Sequence, residues 1–89
     1  MSTAFEFVSR LELELVKHVR SVGGEYAMSG GRTNDPNEDV FYIKIRVGDK
    51  QAQFGFIFDR TLDVSKIGVR TALRKRWERV SSQWLKQLQ

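Results

Sequence analysis

The chain has no cysteine, one histidine and one proline among its 89 residues. Without cysteine there is no disulfide framework, no thiolate zinc site and no thiol redox couple. The lone histidine, His18, leaves no imidazole cluster to hold a metal. No apolar run approaches the roughly 20 residues that a membrane-spanning helix needs. Glu6 and Arg10 interrupt any apolar stretch at the start, so no secretory leader is read there. A soluble protein of a reducing compartment, the cytoplasm, is expected.

Positive charge is abundant and unevenly placed. The net charge is +4, yet residues 60–89 alone carry +6 and the preceding 59 residues carry −2. Such asymmetry points to a surface that attracts an anionic partner. A net charge of this size also falls within the ordinary solubility range of about 2–8 for a small domain, so a solvated basic face explains it equally well. At 40% apolar content the chain can fill one core, and one domain spanning residues 1–89 is expected.

Apolar periodicity sets the elements. Phe5, Val8, Leu11, Leu15, Val19 and Val22 recur at spacings of three and four, predicting a helix over 3–22. Thr3 and Glu6 match a capping box at its start, and Gly23-Gly24 supplies its stop. Glu12 falls inside the apolar arc, where it either snorkels or pairs with a base from the last helix. A short strand is expected over Glu25–Ser29, then a loop from Gly30 to Asp39 that is rich in turn formers.

Phe41, Ile43, Ile45 and Val47 alternate with Tyr42, Lys44 and Arg46, and Ala52, Phe54, Phe56 and Phe58 repeat that period of two after a turn at 48–50. Gly55 within the third strand suggests a bulge or a close approach. Leu73, Trp77, Val80, Trp84 and Leu88 mark a final helix, with Asp63 or Ser65 as its cap and Gly68 as a kink. The expected fold is α+β, helix–three-stranded antiparallel sheet–helix, with both helices packed on one sheet face.

The last helix carries the main candidate site. Lys75, Arg79 and Lys86 fall opposite its apolar stripe with Ser82 among them, while Arg74 and Arg76 flank the apolar face and Arg70 extends the patch. Long cations on one rigid surface suit phosphates, since they displace counterions from a polyanion, and Ser81 and Ser82 could add hydrogen bonds. Lys44 and Arg46, beside Tyr42 on the exposed sheet face, are secondary candidates, because an aromatic among cations can stack bases. Solvent or a dimer contact suits that face as well.

Asp35, Asn37 and Asp39 alternate like early calcium ligands, but Val40 stands where the calcium loop needs glycine and no closing glutamate follows. No nucleophile–base pair or phosphate-binding glycine loop is found, so no enzyme activity and no cofactor are expected. His18 fits a helix-edge residue near the C-terminal end of the helix dipole.

The predicted order of elements resembles that of double-stranded-RNA-binding domains, and Ser65-Lys66 followed by Arg70 is similar to their basic entry to the last helix. The adjacent lysine pair of that family is missing, and two tryptophans replace its alanine-rich packing. The expected function is a small non-enzymatic nucleic-acid-binding or regulatory module, with the type of nucleic acid open. The alternative is a protein-interaction module: an inhibitor, an adaptor or an oligomer subunit such as a homodimer, of the size seen in accessory proteins of phages and mobile elements. Its partner would be an acidic protein surface or a second copy, met by the last helix or by the edge strand near Gly24–Ser29. Leu13, Ile57 and Leu85 are the contact candidates for that alternative.

Overall fold

The computed structural model describes residues 3–88 and gives the order α1 (Thr3–Ser21), β1 (Glu25–Arg32), β2 (Glu38–Val47), β3 (Lys50–Asp59) and α2 (Ile67–Gln87). The three strands form one antiparallel sheet with β2 in the centre. The inner face carries Phe41, Ile43 and Ile45 on β2 and Phe56 and Phe58 on β3, all nearly inaccessible to solvent. Both helices cover it. From α1, Phe5 meets Phe41 edge-on at 4.6 Å between centroids. From α2, Trp77 stands edge-on to Phe56 at 5.0 Å and Trp84 stacks on Phe54 at 4.9 Å. These contacts, with offset or perpendicular rings, are the arrangements aromatic quadrupoles favour.

The two helices run parallel. Phe5 lies by Gly30 and Val19 by Gly24, so α1 descends the sheet against the direction of β1. Arg76 reaches Ile57 and Trp84 reaches Phe54, so α2 descends against β3. Because β1 and β3 both run alongside and antiparallel to β2, both helices share one direction and begin at the same end of the molecule.

Several boundaries depart from those the sequence suggests. Helix α1 stops at Ser21, one residue early, with Gly23 at φ +76° as the left-handed stop. Val22 therefore lies beyond the helix and is exposed rather than part of the stripe. Strand β1 continues through Gly30 and Gly31 to Arg32, and β2 starts at Glu38, so the expected ten-residue loop shrinks to residues 33–37. The glycines seat aromatic rings rather than turns. A Cβ at Gly30 would come within 2.8 Å of Phe5 Cζ, and one at Gly31 within 2.8 Å of Tyr42 Cε2. Gly55 marks neither a bulge nor a close approach: the β2–β3 register is unbroken, and a Cβ there would meet only Val40 at 3.9 Å.

At the β2–β3 hairpin, Val47 faces Lys50 across a two-residue turn with positive φ at Gly48 alone, as in a type II′ turn. Neither Asp63 nor Ser65 caps α2; Lys66 occupies that position without a side-chain bond. Asp63 instead accepts from the Ser65 amide and hydroxyl and closes the preceding turn. Gly68 lies in the first turn of α2, which is continuous from Ile67.

The two sheet edges differ. The two-residue hairpin makes Val47 and Lys50 a mutually bonded pair, so by alternation the backbone of Ile57 points away from β2. Arg76 Nη2 donates to that Ile57 carbonyl. The same alternation turns the backbone groups of Tyr26, Met28 and Gly30 outward on β1. Among the described residues no hydrogen bond outside the sheet reaches them.

Candidate functional site

The solvent side of α2 is a strip of cations. The stripe Leu73, Trp77, Ser81, Trp84 is buried against the sheet and α1, which turns Lys75, Arg79, Ser82 and Lys86 to solvent. Among the described residues none of these three cations is held in an ion pair. From Lys75 to Lys86 the helix rises about 16 Å. Glu78, which lines the cleft between the helices, borders the strip on that side, while Lys75, Arg79 and Lys86 themselves present only positive charge.

The remaining predicted cations are dispersed. Arg70 is spent inside the fold, donating through Nη1 to the carbonyls of Val64 at 2.9 Å and Ser65 at 3.1 Å. It thereby clamps the segment that leads into α2. Arg76 turns the other way, donating to Ile57 while its guanidinium lies over the Phe56 ring at 4.5 Å. Burial, and secondarily the charge of Arg79, lowers its pKa from the ordinary arginine value. Arg74 faces α1 across a cleft of about 730 Å³, with Phe7, Leu11, Leu15 and Trp77 among its apolar lining and Arg10, Glu14, His18, Arg70 and Glu78 among its polar groups. Two of those polar groups are carboxylates, so the cleft is not a purely cationic site.

Lys44 and Arg46 project from the outer face of the sheet, opposite the helices, and the structure does not bring them to the α2 strip. Arg46 is paired there with Glu25, both side chains remaining largely exposed. Ser81 is buried and its hydroxyl donates to the Glu78 carbonyl at 3.3 Å, which removes it from any external contact. Leu85 also leaves the list of partner contacts, because it packs against the core and lines the interhelical cleft. Leu13 and Ile57 are exposed, at 56% and 43%.

Periodicity missed two polar arrangements. Glu12 is buried under α1, paired not with a base from α2 but with Tyr26, whose hydroxyl donates to Oε2 at 2.8 Å. Burial pushes the Glu12 pKa up and the tyrosine bond partly opposes it. The Tyr26 pKa is raised as well, by burial first and then by the bond and charge of Glu12. Asp39 belongs to β2 rather than to a loop; it is buried with Arg60 Nε at 3.9 Å. Asp35 accepts from the Asn37 amide at 2.9 Å in a side-chain-closed turn. The alternating Asp35, Asn37 and Asp39 therefore do not converge, and among the described residues no group of three or more His, Asp or Glu side chains could hold a metal ion. Among the same residues no helix is long and apolar enough to cross a membrane.

No family model matches the chain, and neither a curated protein nor a solved structure matches it. The order of elements it shares with double-stranded-RNA-binding domains describes topology, and topology alone assigns no function.

Proposed function

We propose that this protein is a small non-enzymatic nucleic-acid-binding or regulatory module that contacts phosphates through the solvent face of α2. The observation that carries this is the exposed strip of Lys75, Arg79 and Lys86, none of them in an ion pair among the described residues, on a helix fixed to the sheet by two tryptophans. Rigid backing matters, because cations held in place lose less freedom on binding. Arg74 borders the strip on the α1 side. Arg70 and Arg76 support the helix through backbone carbonyls and are not counted as phosphate ligands. Lys44 and Arg46 lie across the molecule and take no part.

Three phosphate contacts set the expected salt dependence: log K falls with log salt at a slope of about −2.7 on duplex DNA. Fluorescence anisotropy with duplex DNA, duplex RNA and single strands, repeated across salt concentrations, measures it. The combined substitution Lys75→Glu, Arg79→Glu and Lys86→Glu is expected to abolish binding and leave the fold intact, since all three side chains are exposed. Unchanged affinity in the folded triple variant would remove this helix from the site.

A second reading, a protein-interaction module, draws on the outer sheet face, where Tyr42 and Ile57 are 53% and 43% exposed.

A further inference from the structure

We infer that the outer face of the sheet is a self-complementary surface on which a second copy of this chain docks, forming a β-sandwich with the helices outside. This deepens the second reading given above and uses none of the cations of the α2 strip. No helix lies on this face in the single chain, while its inner counterpart is buried under both helices. Along its middle run Glu38, Tyr42, Lys44 and Arg46, with Val40 on the same side of β2 but already buried within the single chain. The row is acidic at one end and basic at the other, with the exposed Tyr42 ring between. Asp59, the register partner of Glu38, adds to the acidic end, and Ile57, partner of Val40, adds to the middle.

A two-fold axis through Tyr42, lying between two facing sheets and perpendicular to the strands, reverses one row over the other. Because residues 38 and 46 are equidistant from 42, Glu38 of each copy then faces Arg46 of the second copy, whose guanidinium, bridged to Glu25 of its own chain, is shared between the two carboxylates, and the two Tyr42 rings meet at the centre. Glu38 has one carboxylate oxygen engaged by the Thr33 hydroxyl at 2.9 Å, which leaves the other for this contact. Lys44, two residues from Arg46 on the same face, comes within a side chain's length of the same carboxylate.

The shape agrees with the charge. Tyr42 leans onto β1 over Gly31, where a Cβ would sit 2.8 Å from its ring. Its register partners, Ser29 on β1 and Gly55 on β3, place little bulk beside it. A shallow depression of about 420 Å³ opens beside the ring, bordered by Ala27, Ser29, Lys44, Gln53 and Gly55. It receives the ring from the facing sheet, so that knob and hollow come from one sequence. A polyanion is a poorer occupant. The face carries Glu25, Glu38 and Asp59 against only Lys44 and Arg46, one carboxylate in excess.

Three strands spaced about 4.8 Å apart, each with roughly nine residues on the contact, bury on the order of 1,000 Å² over both copies. That is the lower bound for a specific interface, so the dimer is a weak, reversible one.

Sedimentation velocity on the full chain from micromolar to millimolar concentration tests this, without any nucleic acid present. The wild type is expected to show a reversible monomer–dimer equilibrium. Tyr42→Ala is expected to weaken it about tenfold or more, as loss of a central aromatic anchor does. Glu38→Arg and Arg46→Glu are each expected to weaken it, and the two together to restore it to within a few fold. A strict monomer at millimolar concentration overturns the inference. So does a dimer unaffected by Tyr42→Ala, or a double reversal no tighter than the single ones. Circular dichroism reports whether each variant folds. If Glu38→Arg costs the fold through its lost Thr33 bond, Tyr42→Ala alone decides, because that ring is over half exposed.

Discussion

At Glu12 a carboxyl is held out of water with a single donor, the Tyr26 hydroxyl, beside it. Its pKa is raised above the ordinary value of 4.5 by burial, so the folded state holds a proton that the unfolded chain gives up. The resulting stability is fully present below the unfolded pKa and is lost as pH rises through the folded one. Asp59 and Asp63 act in the opposite direction. Hydrogen bonds from Thr61 and Ser65 lower their pKa values, so their contribution is present above the unfolded pKa and is lost on acidification. Glu12→Gln keeps an acceptor for Tyr26 and removes the titration. Urea unfolding as a function of pH should then lose its decline on the neutral side and keep its acid limb. Tyr26→Phe, which strands the carboxylate, is expected to cost about 1–3 kcal/mol at neutral pH. Helical periodicity places Glu12 in the apolar arc but cannot name a partner fourteen residues away on a strand. The same limit applies to Arg70 and Arg76. A projection shows their charge and not the carbonyls of Val64, Ser65 and Ile57 that hold it.

Among the elements, α1, the β2–β3 hairpin and the body of α2 are legible because each repeats one period for several turns or pleats. Strand β1 is only half legible. Gly30 and Gly31 read as turn formers, and what keeps them extended is the space they leave for Phe5 and Tyr42, which is a property of other elements. The start of α2 is obscured for a related reason. Asp63 and Ser65 look like caps, but they bond to each other in the preceding turn. Gly68 then occupies a helical position where a Cβ meets nothing within 4 Å. Gly68→Ala is therefore expected to stabilise the protein by about 0.5–1 kcal/mol, by reducing the freedom of the unfolded chain. Thermal denaturation followed by circular dichroism reads this as a rise of several degrees. A fall in Tm would mean that the helix bends at this residue in solution.

For the molecule as a whole, both helices cover one side of a sheet whose other side carries no helix, and the α2 cations and the outer face therefore point in opposite directions. The order of elements and the one-sided core could be read from alternation and spacing. The separation of the eight candidate cations into an exposed strip, two internal clamps, a cleft residue and a distant pair could not, because it depends on which carbonyls and carboxylates the fold brings near. The unequal edges of the sheet have a consequence for how this protein fails. Polymerisation by strand addition needs two receptive ends per unit, one to accept a neighbour and one to offer itself. Arg76 occupies one carbonyl in the middle of the β3 side, which makes that edge the poorer end for chain growth in the polymer chemist's sense. Growth of a misassembled sheet is then expected to slow once two β1 edges have met. Arg76→Ala is expected to bring this monomer closer to a bifunctional one. After mild heating it is expected to form dye-binding, light-scattering fibres at concentrations where the wild type yields only small soluble species.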